Sequence, residues 1–526
     1  MVMSELHDPL PLASCYRHLW QAVWHVDEPR APYRPASTRE APTERLLHIL
    51  WLQQGFLRQP LRTLDHRIVT IHRPGRWNRG SGPDFLEAKL RFDDGRIRVG
   101  AVEVHVRASD WAQHGHACDP AYTDVLLHVV WWNDLPDITV MNAHGTRIPQ
   151  LEVASFLDRP LADLQETIDV EGFVQGRAAE PTRCQRSLQE MPPETIGWLL
   201  DMAGEERLRQ KASRLALKVD RRGVEQALYE WVLEALGFKG NRLPFWELAR
   251  WAPIARLRSA LASHDPTPLR LQAILFGVSG FLTRWQADLT TRSRESRTYV
   301  EQLWSLWEPM ARLFPEQLGE RQWRTAGIRP ANFPPRRIAA AAYLLEGMTQ
   351  DTLMDIWLAP LRALHAATPP AGLLQCQRDL VQRLRVAGAS DFWQRHYTLD
   401  GVQLSRPADL VGSGRAATLV IDVLLPAALA LAELGQESIS PAAIRALYRR
   451  HPRLPSNELT REMMRQFFGA DRLRASVVNS ACRQQALIQL YRDFCVNEQE
   501  TCQECAFPRL AARLAALPNG SPPGSA

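Results

Sequence analysis

Between residues 78 and 119 the chain reads NRGSGPDFLEAKLRFDDGRIRVGAVEVHVRASDWAQHGHACD, and the titratable side chains Asp84, Glu103, His105, Asp110, His114, His116 and Asp119 crowd into it. Asp84 follows a Gly-Pro turn at the mouth of a predicted strand. Glu103 and His105 are two residues apart, so on a strand they project from one face, with Val102, Val104 and Val106 on the core-directed face. If the flanking strands pair as a hairpin about Asp93–Gly95, Asp84 comes near Glu103 across the ladder. Two carboxylates and an imidazole meeting there would bind a divalent cation through hard oxygen ligands. A lone Glu103 could be satisfied by an Arg, but burying charge without a partner is costly, and one ion pair does not account for the whole group. Asn78, Asp110, His114, His116 and Asp119 are expected to line the site. His114 and His116 could share a metal by themselves. Gly115 between them predicts a turn in which the rings diverge, which favours the lining role.

A second set of residues with metal-like spacing lies near the C-terminus. Cys495, Cys502 and Cys505 form a C-x6-C-x2-C run in a polar loop after the predicted helix SACRQQALIQLYRDF. Close spacing of cysteines in a chain expected to be cytoplasmic suggests metal more than disulfides. Cys184 is isolated in sequence, as are Cys15, Cys118 and Cys376.

The elements that must position these groups follow from periodicity. TERLLHILWLQQGF carries apolar residues at helical spacing, with Thr43 as its N-cap. HRIVTIH, PDFLEAKLRF, RIRVGAVEVHV, YTDVLLHVVWW and RIPQLEV are β-branched or alternating runs bounded by Gly, Pro and Asp turns. The expected N-terminal domain, residues 1–165, is therefore α/β: helix, three strands, a short helical or loop segment, then another strand. From about Pro181 to Leu510 apolar stripes recur at three- and four-residue spacing. That predicts a large all-α domain over 166–475, then a helix and cysteine loop over 476–511 packing on it. A disordered tail over 512–526, ending LPNGSPPGSA, completes the chain. RPANFPPRR and LPSNELTR, mixing Asn, Pro and Arg, are expected to be structural helix-start turns.

Composition sets looser bounds. A length of 526 residues suggests two to four domains, and 45% hydrophobic with 23% charged residues excludes disordered, collagen-like and disulfide-scaffold chains. MVMSELHDPLPL lacks the basic flank and apolar run of a secretion signal. The longest apolar stretch, AATLVIDVLLPAALALA, is broken by Asp422 and Pro426 and reads as a buried helix. The expectation is a soluble cytoplasmic protein with no membrane partner. The net charge of +5 gives no strong partner preference. All but four of the 63 basic residues are Arg, whose planar fork suits phosphate, so nucleic-acid binding is permitted without being indicated.

The order helix–β–β–β–helix–β, with Pro83-Asp84 opening the second strand and Glu103-Val104-His105 on the third, resembles the PD-(D/E)XK phosphodiesterase superfamily, a restriction-endonuclease-like fold. The resemblance implies that Asp84 and Glu103 hold Mg²⁺ or Mn²⁺ and that Glu44, in the first helix, adds an acidic ligand. His105 stands where the superfamily has the Lys that positions or activates water. The C-x6-C-x2-C spacing resembles the first three ligands of the iron–sulfur loop of helix-hairpin-helix DNA glycosylases, but the position of their fourth Cys is Ala511 here. Cys184 and Cys482 are the alternatives. Cys482 stands more than three helical turns before Cys495, about 20 Å along a continuous helix, so Cys184 is preferred. A distant Cys joining three C-terminal ones also resembles the helicase-associated and CRISPR-adaptation nucleases of the same superfamily. These resemblances imply an iron–sulfur cluster, with Zn²⁺ able to satisfy the same four thiolates. Finally, GPDFLEA, VEVHVRASDWAQHGH, LFGVSGFL, GIRPANFPPRRIA and LPSNELTREM resemble an uncharacterised bacterial family, a domain of unknown function, over nearly the whole length. The expected function is a metal-dependent nuclease acting on nucleic acid, with DNA the expected polymer. The alternatives are an inactive nucleic-acid-binding or assembly protein of the same fold and a His/Asp metal hydrolase of small molecules.

Overall fold

The computed structural model describes residues 12–22, 42–54, 57–78, 82–135, 139–158, 161, 182–262, 264–319, 322–325, 328–365, 367–388, 391–495 and 505–516. The chain divides into two compact units, Met1–Met202 with Asn457–Val478 and Leu487–Ala526, and Ala203–Ser456 with Asn479–Ala486. The boundary expected at residue 165 falls inside the first unit, and the segment 476–511 is divided between the two. Part of the reason is a tie between distant segments of the first unit. Arg73 Nη1 donates to the Tyr491 hydroxyl at 2.7 Å, and that hydroxyl donates to Glu87 Oε2 at 3.1 Å.

The first unit opens with α1 (Leu12–Ala22) and α2 (Glu44–Gln53). The Thr43 hydroxyl caps α2 by accepting from Leu46 N, and Gln54 ends it in the left-handed region. The sheet comprises β1 (Leu61–Arg62), β2 (Ile68–Arg73), β3 (Arg76–Trp77), β4 (Phe85–Phe92), β5 (Ile97–Arg107), β6 (Val125–Trp132), β7 (Thr139–Met141) and β8 (Arg147–Glu152). Its order is β1-β2-β4-β5-β6-β8-β7, with β3 paired to β4. β4 and β5 form an antiparallel hairpin whose turn closes at Gly95, φ +74°. β5 then runs parallel to β6, a pairing that requires a crossover, supplied by α3 (Asp110–Gln113) and a short 3₁₀ turn at Pro120–Tyr122. The helix–three strands–helix–strand core expected from the periodicity is thus present, and a large helical region follows it.

The two faces of the sheet differ. Val102, Val104, Leu127, Val129 and Trp131 are buried in one apolar cluster with Leu46, Leu47 and Leu50 of α2. Burying each such side chain is worth about 1.5–3 kcal/mol, enough to fix the register of β5 against α2. The alternate residues Ala101, Glu103 and His105 point to the other face, where Trp111, Tyr122, Val125 and Ile148 form a smaller cluster with Ala101. A bulge between Phe85 and Ala88, with Glu87 at φ +59°, interrupts simple alternation along β4. Lys89 pairs with Val99, four positions down β5 from Glu103.

The second unit is helical. Its core gathers Leu271, Phe276, Trp307, Trp357, Trp393 and Leu424. Gly277 is required there, because a Cβ would lie 2.3 Å from the Trp307 ring. Ser413–Glu433 is the one helix among the described residues long and apolar enough to cross a bilayer, and 72% of its apolar window is buried inside the protein. A wide turn at Val420–Leu424 accommodates Pro426, which has no N–H to give to the carbonyl four residues back. RPANFPPRR starts the helix Pro334–Leu344, and LPSNELTR starts Glu458–Phe468, where Asn457 and Thr460 form a reciprocal cap.

Candidate metal centre

Asp84 and Glu103 meet across the β4–β5 hairpin, as its register demands, Phe85 being opposite Val102. Glu103 Oε2 accepts from Asp84 N at 2.9 Å, and Asp84 Oδ2 accepts from Val104 N at 3.0 Å. From α2, His48 Nε2 comes within 3.0 Å of Asp84 Oδ2 and 4.0 Å of Glu44 Oε1. Glu44, His48 and Asp84 each offer a ligand atom within 4.8 Å of the others'. His48 was not singled out in the sequence. The signal for it was the Glu44-x3-His48 spacing, which puts both side chains on one helix face.

On the other side of Glu103 lies a set of imidazoles. Glu103 Oε1 is 3.2 Å from His116 Nε2 and 3.5 Å from His105 Nε2. His105 Nε2 is 3.1 Å from His114 Nδ1, and the ligand nitrogens of His105, His114 and His116 again fall within 4.8 Å of one another. The rings therefore converge, contrary to the divergence expected from the intervening glycine. Gly115 adopts φ +76° and folds the chain back, and His116 then stacks on Tyr122 with ring centroids 3.8 Å apart.

A third layer was also missed. His128 Nε2 is 2.9 Å from His105 Nδ1, and His128 Nδ1 is 3.0 Å from Gln150 Oε1. The parallel registers line up Glu103 with His128 and His128 with Gln150 across three strands. A lone His in the apolar run VLLHVVWW was the available clue.

Burial governs the electrostatics. Glu103, 4% exposed, has its carboxyl pushed up to about 9 by burial and then by the Asp84 and Glu44 charges. Burial, reinforced by His128, His114 and His116, holds His105 down to about 2, and His128 is held down to about 3 by its own burial. His116 is lowered by burial and His114. Glu44 is raised by burial, with His48 opposing and Asp84 adding to the shift. Glu44 and His114 are exposed and Asp84 half-buried, while Glu103, His105, His116 and His48 are buried, so each set of ligands keeps one exposed member.

The remaining predicted lining residues do other work. Asn78 donates to Pro83 O at 3.0 Å and its backbone N–H to Asp84 O at 2.6 Å, bracing the turn that presents Asp84. Asp110 accepts from Arg107 N at 3.0 Å, at the start of α3. Asp119 caps the following turn through Ala121 N at 2.8 Å, donates its backbone N–H to His116 O at 3.4 Å, and opposes the lowering of His116 through its charge.

Of the cysteines, Cys502 lies outside the described residues. Cys184, Cys495 and Cys505 are all partly exposed and all belong to the first unit. Cys184 sits in α4 (Arg183–Gln189), whose cap residue Thr182 donates to Gln466 O at 2.6 Å, and Gln466 Nε2 approaches Cys495 Sγ at 3.9 Å. Cys482 belongs to the second unit, fully buried against Gly204.

A family model described as "Protein of unknown function (DUF2851)" matches residues 44–453, and the chain belongs to that family. No curated protein and no solved structure matches it.

Proposed function

We propose that this member of the DUF2851 family is a divalent-metal-dependent phosphodiesterase acting on nucleic acid. The observation that carries the reading is the meeting of Asp84 and Glu103 beside Glu44 and His48, at the hairpin of a helix–three strands–helix–strand core. That arrangement supports the resemblance to PD-(D/E)XK enzymes, with Asp84 and Glu103 as ligands of Mg²⁺ or Mn²⁺ and Glu44 and His48 completing the set. The cation would polarise a phosphoryl oxygen and lower the pKa of its bound water. His105 brings to the Lys position a neutral ring, not a positive charge. Arg107, exposed two residues beyond His105 on the same strand, is placed to meet a phosphate.

Cleavage of labelled DNA and RNA oligonucleotides with Mn²⁺ tests the proposal. Asp84→Ala should lose at least about 100-fold of it while keeping its thermal unfolding transition, since even partners of metal ligands are worth about 10–100-fold. No cation-dependent cleavage of either polymer would sink it, and salt-sensitive binding that survives Asp84→Ala would favour the inactive nucleic-acid binder. The crowd of imidazoles favours a second reading, a metal hydrolase of small molecules. Hydrolysis of a small phosphodiester without oligonucleotide cleavage would support that one.

For the cysteines, the Thr182–Gln466–Cys495 link supports Cys184 over Cys482 as the partner of Cys495, Cys502 and Cys505 in binding an iron–sulfur cluster or Zn²⁺. Metal and acid-labile sulfide analysis of anaerobically purified protein, wild type beside Cys502→Ser, decides between the two. Finding neither would remove the site.

A further inference from the structure

We infer that His105, His114 and His116 hold a second cation, of the borderline class that imidazole prefers, beside the one assigned to Asp84 and Glu103. The inference leans on the Asp84 reading only in making Glu103 a carboxylate that faces both ions, its Oε2 toward Asp84 and its Oε1 toward the imidazoles. The imidazole set stands on its own geometry.

The tautomers follow from the hydrogen-bond chain. Gln150 Oε1 can only accept, so His128 Nδ1 carries the proton at that 3.0 Å contact. His128 Nε2 in a neutral ring is then an acceptor, and His105 Nδ1, 2.9 Å away, must donate to it. That leaves His105 Nε2 as a bare lone pair, 3.1 Å from His114 Nδ1, 3.5 Å from Glu103 Oε1 and within 4.8 Å of the His116 ligand nitrogen. Metal-bound histidines carry this signature, with the distal N–H tied to an acceptor so that the other nitrogen is aimed and basic.

His116 supplies the independent observation. Its side chain is 9% exposed, wedged between Tyr122 and Trp111, yet neither ring nitrogen makes a hydrogen bond. Nε2 approaches Glu103 Oε1 at 3.2 Å without hydrogen-bond alignment. A buried polar group left that way is costly in a folded protein unless something else coordinates it. A chain of hydrogen-bonded neutral imidazoles would account for His114 donating to His105, but not for His116. The 3.1 Å between His105 Nε2 and His114 Nδ1 also lies close to the about 3.3–3.4 Å that tetrahedral Zn–N bonds of about 2.0–2.1 Å set between two ligands of one ion. Three imidazoles and a carboxylate oxygen suit Zn²⁺, Fe²⁺ or Co²⁺, whereas the oxygen-rich Glu44, His48 and Asp84 set suits Mg²⁺ or Mn²⁺. Two unlike ions astride one carboxylate would clamp both the attacking and leaving oxygens of a displacement.

The test is a Co²⁺ titration of the full-length chain after dialysis against EDTA, followed by d–d absorption and equilibrium dialysis. Wild type should bind one more equivalent than His116→Ala, and His114→Ala should weaken that equivalent at least about 10-fold. Asp84→Ala should keep the band. Any cysteine-bound cobalt is common to all four proteins and cancels in the differences. His114 is exposed, so its variant remains informative where His116→Ala fails to fold. Gln150→Leu, which removes the last acceptor of the chain, should weaken the same equivalent about 10–100-fold without changing its number. Identical Co²⁺ uptake and affinity in wild type, His114→Ala and His116→Ala would overturn the inference and leave Mn²⁺-dependent cleavage as it stands. An intact cobalt difference in a protein that cleaves no nucleic acid would uphold the inference and overturn the phosphodiesterase instead.

Discussion

Glu103 of the first unit and the Glu225, Asp422 and Arg336 groups of the second meet burial in opposite ways. In the second, Arg258 hydrogen-bonds Glu225 at 2.7 Å and Glu225 also accepts from Leu353 N at 2.9 Å, which together hold its carboxyl below the usual range. Burial would raise Asp422, but Lys211 at 2.5 Å overrides it and holds the group low. Arg336, 1% exposed, gives its terminal nitrogens to His396 O at 3.0 Å, to Ala408 O and Asp409 O at 3.2 Å, and to Trp393 O. Arg337 gives Nη1 to Leu410 O at 2.5 Å. In the first unit Glu103 is about as buried, yet the charges that raise its pKa are Asp84 and Glu44, and no Lys or Arg among the described residues pairs with it. Where the chain supplies the opposite partner, a buried polar group rigidifies the fold. Where like groups face each other, the arrangement costs stability and is suited to a ligand.

Three substitutions or additions bear hardest on that contrast. Arg336→Ala strands four carbonyls and leaves a cavity, so urea unfolding should show a loss of about 3–5 kcal/mol. A loss below about 1 kcal/mol would mean that the second unit's buried cations are not scaffold. Next, Mn²⁺ at 100 times its dissociation constant should raise the unfolding free energy of EDTA-treated wild type by about 2.7 kcal/mol, and that of Asp84→Ala not at all. Third, Glu103→Gln should cost the metal-free protein less than about 1 kcal/mol at neutral pH, because the amide oxygen can still accept from Asp84 N. Its pH dependence should also differ. A carboxyl whose folded pKa lies near 9, above its unfolded value, contributes stability that is present at low pH and lost as pH climbs through 9. Metal-free wild type should therefore weaken from pH 6 to 9 more than Glu103→Gln does, and added Mn²⁺ should flatten the difference. Parallel curves without metal would place the Glu103 charge in a better-compensated setting than the structure gives it.

Much of this site was legible because strands fix geometry with a period of two. Glu103 and His105 had to share a face, Val102 and Val104 the other, and the Asp-Asp-Gly turn set the register that brings Asp84 to Glu103. The helix cap at Thr43 and the Asn457 helix start were legible for the same reason, since side-chain oxygens satisfy orphan N–H groups at known offsets. Convergence across the crossover was not legible. His114 and His116 turn toward His105 because of a positive φ at Gly115 and a stack on Tyr122, neither of which is encoded in spacing. His128 and Gln150 reach the site through parallel pairing between strands distant in sequence. The division of the chain into units likewise depends on contacts such as Arg73 with Tyr491, more than 400 residues apart.

The smallest expected effect comes from the other side of the contrast. Glu225 has a depressed pKa in the folded state, so its contribution is present above the unfolded value of about 4.3 and is lost as pH falls through the folded one. The Glu225 and Arg258 side chains are 22% and 30% exposed, and solvent screening limits the pair to about 1 kcal/mol or less. Glu225→Gln should keep the cap on Leu353 N, lower stability slightly at pH 7, and converge with wild type as pH falls through the folded value of the native carboxyl, below which that carboxyl is itself neutral. Urea midpoints at pH 3, 5 and 7 measure this. Convergence on the acid side here, set against a Glu103 pH dependence that fades on metal addition, would show that the two carboxylates differ in the source of their counter-charge: an arginine of the chain for one, an added cation for the other. Midpoints that stay equally separated at all three pH values would instead assign Glu225 to packing and backbone capping, and the contrast would then rest on Asp422 and the buried arginines.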